Sequence, residues 1–343
     1  MRKPLVSILI PAYNAEKTID YTIQSAIAQS WQRKEIIVVD DGSSDRTAET
    51  ARSFGSNVTV VSTENRGAAA TRNEALRLSQ GDFIQWLDAD DILVPEKIER
   101  QLKALREGES RRILLSSAWA PFYYRTRHAQ FISNSLCQNL SPVEWLLRKM
   151  SENVHMQTAT WLPSRELTEA AGPWNTSLLS DDDGEYFCRV LLASECTRFV
   201  PGTGVLYRMS PTSRLSHIGG SDRKKSAMMN SMRLHIQYLR SLEESERVRK
   251  ACLTYLSNWS EYFYPERPDM FAELQALATQ LGGYLEPPVL RRKYAWLKPV
   301  FGWKSARWAQ RALPERKAST IRCWDKVMFE FENRKASFKA PGC

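Results

Sequence analysis

The sequence predicts an α/β protein: a mostly parallel, Rossmann-like sheet flanked by helices, followed by a helical C-terminal extension. Three observations predict it. Short apolar runs rich in β-branched residues alternate with segments of helical period from residue 5 to residue 87, the pattern of a parallel sheet covered on both faces. The polar clusters Ala12-Tyr13-Asn14, Asp40–Asp45 and Asp88–Asp91 all fall at the carboxyl ends of those runs, where such sheets bind ligands. From about Ser221 onward helical periodicity and dense charge take over, and glycine is nearly absent until Gly282-Gly283.

Taken in order, Leu5–Ile10 reads as a buried strand bounded by Pro11. Asn14–Thr18 opens a helix in which Ile19, Ile23, Ala26 and Ile27 recur at helical spacing. Glu35–Val39 is a second strand, followed by the turn formers DDGSSD, with Ser44 or Asp45 as N-cap of a helix through Arg52. Val58–Val61 is a third strand, ENRGAAATRN leads into a helix through Leu78, and Gly81–Leu87 is a fourth strand. Pro95–Glu107 reads as a helix, Ile113–Phe131 as one or two strands, and Ser141–Lys149 as a helix with Glu144 completing a capping box. Thr158–Pro163 is expected to be a strand, and Arg165–Ala171 a short helix stopped by Gly172-Pro173. LSDDDGEYFCRVLLAS opens a helix on acids, which its dipole favours, and Arg198–Tyr207 is a last strand with a Pro-Gly turn inside it. Asp222–Gln280 holds two or three helices, and the domain boundary is placed between residues 218 and 219.

Composition narrows the class. A chain of 343 residues with 43% apolar and 25% charged residues is that of an ordinary soluble protein of about two domains. No apolar run reaches the roughly 18 residues that span a bilayer. The N-terminus does not read as a signal peptide, because the apolar run after Arg2 and Lys3 stops at Pro11. Six cysteines in neither CxxC nor zinc spacing imply reduced thiols and a cytoplasmic location. The net charge of +9 sits in the tail: residues 287–343 carry fourteen Lys and Arg against four Asp and Glu. Nucleic acid is therefore not an expected partner of the protein as a whole.

The chemistry concentrates at the strand ends. Asp88, Asp90 and Asp91 crowd three carboxylates into four residues, which either cap the next helix or hold a hard cation such as Mg²⁺ or Mn²⁺. Tyr13 and Asp41 either pack and cap locally or hold a nucleobase, the ring stacking and the acid accepting a base N–H.

The series VSILIPAYNAEKTIDYTIQSAIAQSWQRKEIIVVDDGSSDRT, then NRGAAATRN, then GDFIQWLDADD resembles glycosyltransferase family 2. The match is closest over residues 4–95 and weaker to about 210. The resemblance implies the GT-A fold, with a nucleotide-sugar half at about 1–95 and an acceptor half at about 96–218. It implies an inverting transferase that moves a sugar from a nucleoside diphosphate, most often UDP, to a hydroxyl of a glycan, lipid-linked or other acceptor. It further implies that Pro11, Tyr13 and Asp41 line the base site and that Arg72 lies near the base and diphosphate. Asp88 would face the ribose, and Asp90 with Asp91 would hold the metal. The family's base precedes a helix that carries an Arg, which here implies Asp183, then Asp182, then Glu185, with Arg189 at the Arg position. Glu185, Arg189, His155 and Gln157 are candidate acceptor contacts. One departure stands out: Tyr207-Arg208 is followed by Met209-Ser210 rather than by a His in register, and His217 lies farther along.

The tail carries its own expectation. Leu290, Tyr294, Leu297 and Phe301 form one apolar stripe and Ile321, Trp324, Met328 and Phe331 another, with Trp296, Trp303, Trp308 and basic residues interleaved. Such a segment either packs on the enzyme or lies on an anionic membrane surface, making the protein peripheral to the inner face of the cytoplasmic membrane. Two rival functions are a nucleotidyltransferase, for which PAYNAEKT lacks the Gly-rich basic loop, and a non-catalytic sugar-nucleotide or glycan-binding protein, which the intact acidic clusters disfavour.

Overall fold

The computed structural model describes residues 3–209 and 221–338. Four parallel strands, β1 (Val6–Ala12), β2 (Lys34–Asp40), β3 (Thr59–Ser62) and β4 (Phe83–Trp86), form one sheet in the order β3-β2-β1-β4. Helices α1 (Ile19–Ile27), α2 (Thr47–Arg52) and α3 (Ala68–Leu78) connect them. Every residue of β1 is buried, as its unbroken apolar run requires of a central strand. Neither Ser44 nor Asp45 is the N-cap of α2: Arg46 stands there without a side-chain cap, and Asp45, one residue earlier, accepts from the Thr47 amide (3.0 Å). The expected strand–helix alternation is observed throughout this region, with boundaries moved by one or two residues.

A second sheet, in the order β5-β7-β6, joins β5 (Ile92–Leu93), β6 (Ile113–Phe122) and β7 (Cys196–Arg208). Between Ser117 and Ala118 the register opposite jumps from Val200 to Gly204, so Pro201, Gly202 and Thr203 bulge out where the Pro-Gly turn was expected. Helices α4 (Lys97–Lys103), α5 (Pro142–Glu152), α6 (Arg165–Ala171) and α7 (Asp182–Ala193) complete this part. Ser141 caps α5 by accepting from the Glu144 amide. Thr158–Pro163 does not form the expected strand. It contains a 3₁₀ turn, Thr158–Thr160, capped by the Gln157 side chain, and only isolated bridges at Leu162 and Ser164. Its β-branched residues are buried by packing rather than by strand pairing.

Three helices of the extension follow: α8 (Asp222–Leu242), α9 (Glu246–Ser260) and α10 (Pro268–Gln280). The short α11 (Arg292–Ala295) leads to the long α12 (Leu297–Phe338), which breaks at Gly302. Among the described residues no helix is long and apolar enough to cross a membrane. The boundary expected at 218/219, and His217, lie outside the described residues. The two halves of the tail behave differently. Tyr294, Ala306, Arg307 and Ala309 are buried, whereas Ile321, Trp324 and Phe331 are about half exposed or more. The outer half is held by Asp325, which accepts from the Tyr124 and Arg125 amides and from Arg125 Nε (2.9, 3.1 and 2.7 Å).

Candidate active site

One cavity of about 2010 Å³ opens at the carboxyl ends of β1, β2 and β4. It collects Pro11, Tyr13, Asp41, Arg72, Asp88, Asp90, His155, Gln157, Asp182 and Asp183, which lie far apart in sequence. The extension supplies the opposite wall, with Trp259, Tyr262, Trp303, Arg307 and Trp308. The three non-glycine residues with positive φ among the described residues, Asn14, Asn153 and Asp181, all line this cavity. Such sparsely populated conformations gather where surrounding structure dictates a local geometry for a site.

The donor end is built by the sheet. Tyr13 follows β1 with 54% of its surface exposed, so its ring is open to stacking rather than used for packing. Asp41 follows β2, is buried, and accepts from the amides of Arg66 (2.8 Å) and Gly67 (2.9 Å). It thereby holds the loop that opens α3 against the cavity. Asp88 and Asp90 line the cavity after β4.

Asp91, expected beside Asp90 as a metal ligand, is turned away. It is fully buried, is absent from the cavity lining, and accepts from Gln157 Nε2 (2.6 Å) and the Arg208 amide (2.9 Å). The physical reason is the tight turn after β4, which sends neighbouring side chains to opposite sides. Gln157 is committed to Asp91 and to the Ala159 amide rather than to an acceptor. Arg208 Nε donates to the Asp90 carbonyl (2.9 Å), so the last strand closes on the acidic turn where the family motif would continue to a His.

The base end is built by α7. Asp183 Oδ2 accepts from Thr158 Oγ1 (3.0 Å) and Oδ1 from the Gly184 amide (2.9 Å). Asp182 is instead captured by Arg72, whose guanidinium donates to Asp182 (2.8 Å) and to Asp88 (2.9 Å) and lies 4.4 Å from the Trp174 ring centroid. Arg72 thus ties the two acidic clusters together. Burial opposes its charge, but Asp88 and Asp182 overcome this and raise its pKa. Burial pushes the Asp182 carboxyl up to about 6, with Arg72 pulling it down and Asp183, Asp88 and Asp181 adding to the rise. Asp182 is accordingly held by Arg72, whereas Asp183 bonds Thr158 and the Gly184 amide. Burial lowers the His155 pKa, and its ring lies 5.4 Å from that of Trp119.

Glu185 and Arg189 do not reach the cavity. Glu185 is buried and accepts from Arg189 Nε (2.7 Å) and Tyr238 Oη (2.7 Å), while Arg189 also donates to the Ala171 carbonyl. Their i, i+4 spacing on α7 favours this internal pair over acceptor contacts.

Sequence reasoning missed Thr158, Trp174 and the buried polar residues Ser231 and His235 of α8. Trp174 stacks on Tyr186 (4.0 Å, 7°) and meets Trp86 edge-on (5.2 Å), forming a floor under Arg72. Ser231 and His235 had a usable signal: two polar residues at i, i+4 inside the apolar stripe of Met228, Met232 and Leu239.

Residues 7–136 match the family described as Glycosyl transferase family 2. These residues form a glycosyltransferase family 2 domain. An uncharacterized glycosyltransferase of Rickettsia typhi is 38% identical over 112 residues, 33% of this chain and 35% of that protein. The UDP-Glc:alpha-D-GlcNAc-diphosphoundecaprenol beta-1,3-glucosyltransferase WfgD of Escherichia coli is 42% identical over 103 residues, 29% of this chain and 41% of its own. The aligned part is therefore well under half the length of these curated relatives. The crystal structure of S. aureus TarS 1-349 in complex with UDP-GlcNAc superposes with a TM-score of 0.63 at 18% identity, over 89% of this chain and 91% of that one. The family 2 domain has the expected GT-A architecture with a helical C-terminal region.

Proposed function

We propose that this chain is an inverting glycosyltransferase that moves a sugar from a nucleoside diphosphate, UDP by preference, to a hydroxyl of a glycan or lipid-linked acceptor. One observation carries the reading: a half-exposed ring, a loop-holding carboxylate, two acids after β4 and an acid at the start of α7 all line a single cavity. Tyr13 stacks on the base, Asp41 accepts a base N–H, and Asp88 and Asp90 face the ribose and diphosphate. Asp183 takes the proton from the acceptor hydroxyl as its oxygen attacks the anomeric carbon and the bond to the diphosphate breaks. The names of WfgD and of the TarS complex support UDP as the carrier, and that of WfgD supports a lipid-linked acceptor.

A divalent cation fits the donor end. Among the described residues no three His, Cys, Asp or Glu side chains group as a metal cage. Mg²⁺ and Mn²⁺ need no such cage where substrate phosphates complete the shell, and one or two carboxylates suffice. Asp90, with Asp88 beside it, supplies those hard oxygens. When bound, the ion neutralises charge on the departing diphosphate.

The outer half of α12 supports a peripheral association with the inner face of the cytoplasmic membrane. Leu313, Ile321, Trp324, Val327 and Phe331 recur at helical spacing, all are about half exposed or more, and the tail is strongly basic. Full-length protein should sediment with phosphatidylglycerol vesicles but not with phosphatidylcholine ones. Retained sedimentation of a Trp324→Glu, Phe331→Glu variant ends this part of the reading.

The decisive experiment is a thermal-shift screen of nucleoside diphosphates and nucleotide sugars with and without Mn²⁺, followed by slow hydrolysis of the best donor. Asp90→Ala should remove the metal dependence, and Asp183→Asn should cut turnover by roughly 10²–10⁴-fold. Unchanged metal-dependent hydrolysis in both variants would refute the enzyme reading.

A further inference from the structure

The helical extension does more than wall the cavity. Asp181 begins α7 in the left-handed conformation (φ 56°, ψ 30°) and makes no hydrogen bond to the helix with its own side chain. Its carboxylate folds back over the helix start instead. This needs Gly184, since a Cβ there would stand 2.1 Å from Asp181 Oδ1. The carboxylate then meets α8. Ser231 Oγ donates to Asp181 Oδ2 at 2.5 Å, and His235 Nε2 lies 3.8 Å from the same oxygen. Behind them His235 Nδ1 is 2.9 Å from Tyr255 Oη on α9. Ser231 and His235 are fully buried and Tyr255 nearly so. Burial lowers the His235 pKa to about 3, so at neutral pH its imidazole lies beside Asp181 uncharged.

A second tie lies one turn along α7. Tyr238 Oη donates to Glu185 Oε1 at 2.7 Å. Ser231 and Tyr238 are seven residues apart, two turns of α8, and so share one face. Their partners, Asp181 and Glu185, are four apart on α7 and bracket Asp182 and Asp183. The grip is therefore on both sides of the acid proposed as base.

We infer that Ser231 and Tyr238, in the extension, are positioning residues that hold the Asp181–Glu185 turn and so aim Asp183 at the acceptor hydroxyl. This rests on the glycosyl-transfer reading for its catalytic consequence, but not for its structural one. Neither hydroxyl lines the cavity, so neither touches donor or acceptor directly.

The test uses full-length Ser231→Ala and Tyr238→Phe, each of which deletes one hydroxyl, with Arg233→Ala on the exposed face of α8 as control. Amide hydrogen exchange is measured first. Both variants should speed exchange across residues 181–186, where the Glu185 amide donates to the Asp181 carbonyl, and leave β1 and α3 unchanged. Turnover of the donor found by screening should fall about tenfold or more, with donor KM and the thermal shift by UDP and Mn²⁺ unaltered. If Ser231→Ala does not fold, Tyr238→Phe carries the test alone. Unchanged exchange at 181–186 overturns the inference whatever the activity. Faster exchange with unchanged turnover overturns its catalytic part. Wild-type protein that turns over no nucleotide sugar defeats the glycosyl-transfer reading and leaves the exchange result to decide the clamp.

Discussion

The Asp88–Asp91 and Asp181–Asp183 clusters meet at one cavity through Arg72, yet the chain holds them by different means. The first cluster follows a strand of the central sheet, and the backbone of β4 places it. The second begins a helix whose first residue is held by side chains from α8, fifty residues later in the chain. The end proposed to hold the donor is thus a product of sheet topology, and the end proposed to hold the base a product of helix packing. Rigidity at the first is a backbone property. At the second it depends on a few hydroxyls, so single substitutions should disturb it without touching nucleotide binding. Arg72 bonds to both clusters, at Asp88 and at Asp182.

That link offers the strongest way to break the comparison. Arg72→Met leaves Asp88 and Asp182 without their shared cation in a buried setting, at a cost of about 3–5 kcal/mol. Urea denaturation measures it, and a loss below about 1 kcal/mol would mean that the two ends are held independently. Arg72→Lys should recover little, because a single ammonium cannot span both carboxylates as the guanidinium does.

Acid sensitivity sharpens the base end. His235 has a folded pKa of about 3, below its ordinary value of 6.5. The unfolded chain therefore binds the extra proton between those values, and stability from His235 is present at neutral pH and lost as pH falls from 6.5 toward 3. Asp181 and Asp182 act in the opposite sense, since their raised pKa values make the folded state the tighter proton binder until pH rises through them. Comparing wild type with His235→Gln across that range isolates the histidine. The variant's curve should be flatter by on the order of a few kcal/mol.

Within the first cluster, Asp91→Ala and Asp90→Ala should part company. Asp91→Ala orphans Gln157 Nε2 and the Arg208 amide and should cost about 2 kcal/mol in denaturant melts. Asp90→Ala should change stability by less than about 0.5 kcal/mol while abolishing the Mn²⁺-dependent thermal shift by UDP. Equal stability losses would contradict the division of labour between them. The smallest expected effect is at Tyr13. Tyr13→Ala should weaken nucleoside-diphosphate affinity by about tenfold, read by titration, with no change in melting temperature because the ring is half exposed.

Much of this molecule was legible in the residues alone. Strand and helix order from residue 5 to 87 follows from local period, and the ligand end of a parallel sheet follows from its topology, so the sequence alone groups Tyr13, Asp41, Asp88 and Asp90. The three helices of Asp222–Gln280 and the capped start of α5 were legible for the same local reasons. Thr158–Pro163 was not, because a buried β-branched run packs as well in a turn as in a strand.

What only the tertiary structure decided is which acid in each cluster a distant partner takes up. Adjacent aspartates look alike in sequence. Asp91 differs from Asp90 because Gln157 and Arg208, 66 and 117 residues away, take its oxygens. Asp182 differs from Asp183 because Arg72, 110 residues away, takes its charge. The tail divides for a like reason: Asp325 finds Arg125 and anchors one face of α12, while Trp324 and Phe331 stay half exposed or more. Composition and spacing set the supply of charges and apolar faces, but pairing depends on which of them the folded chain brings within hydrogen-bond reach.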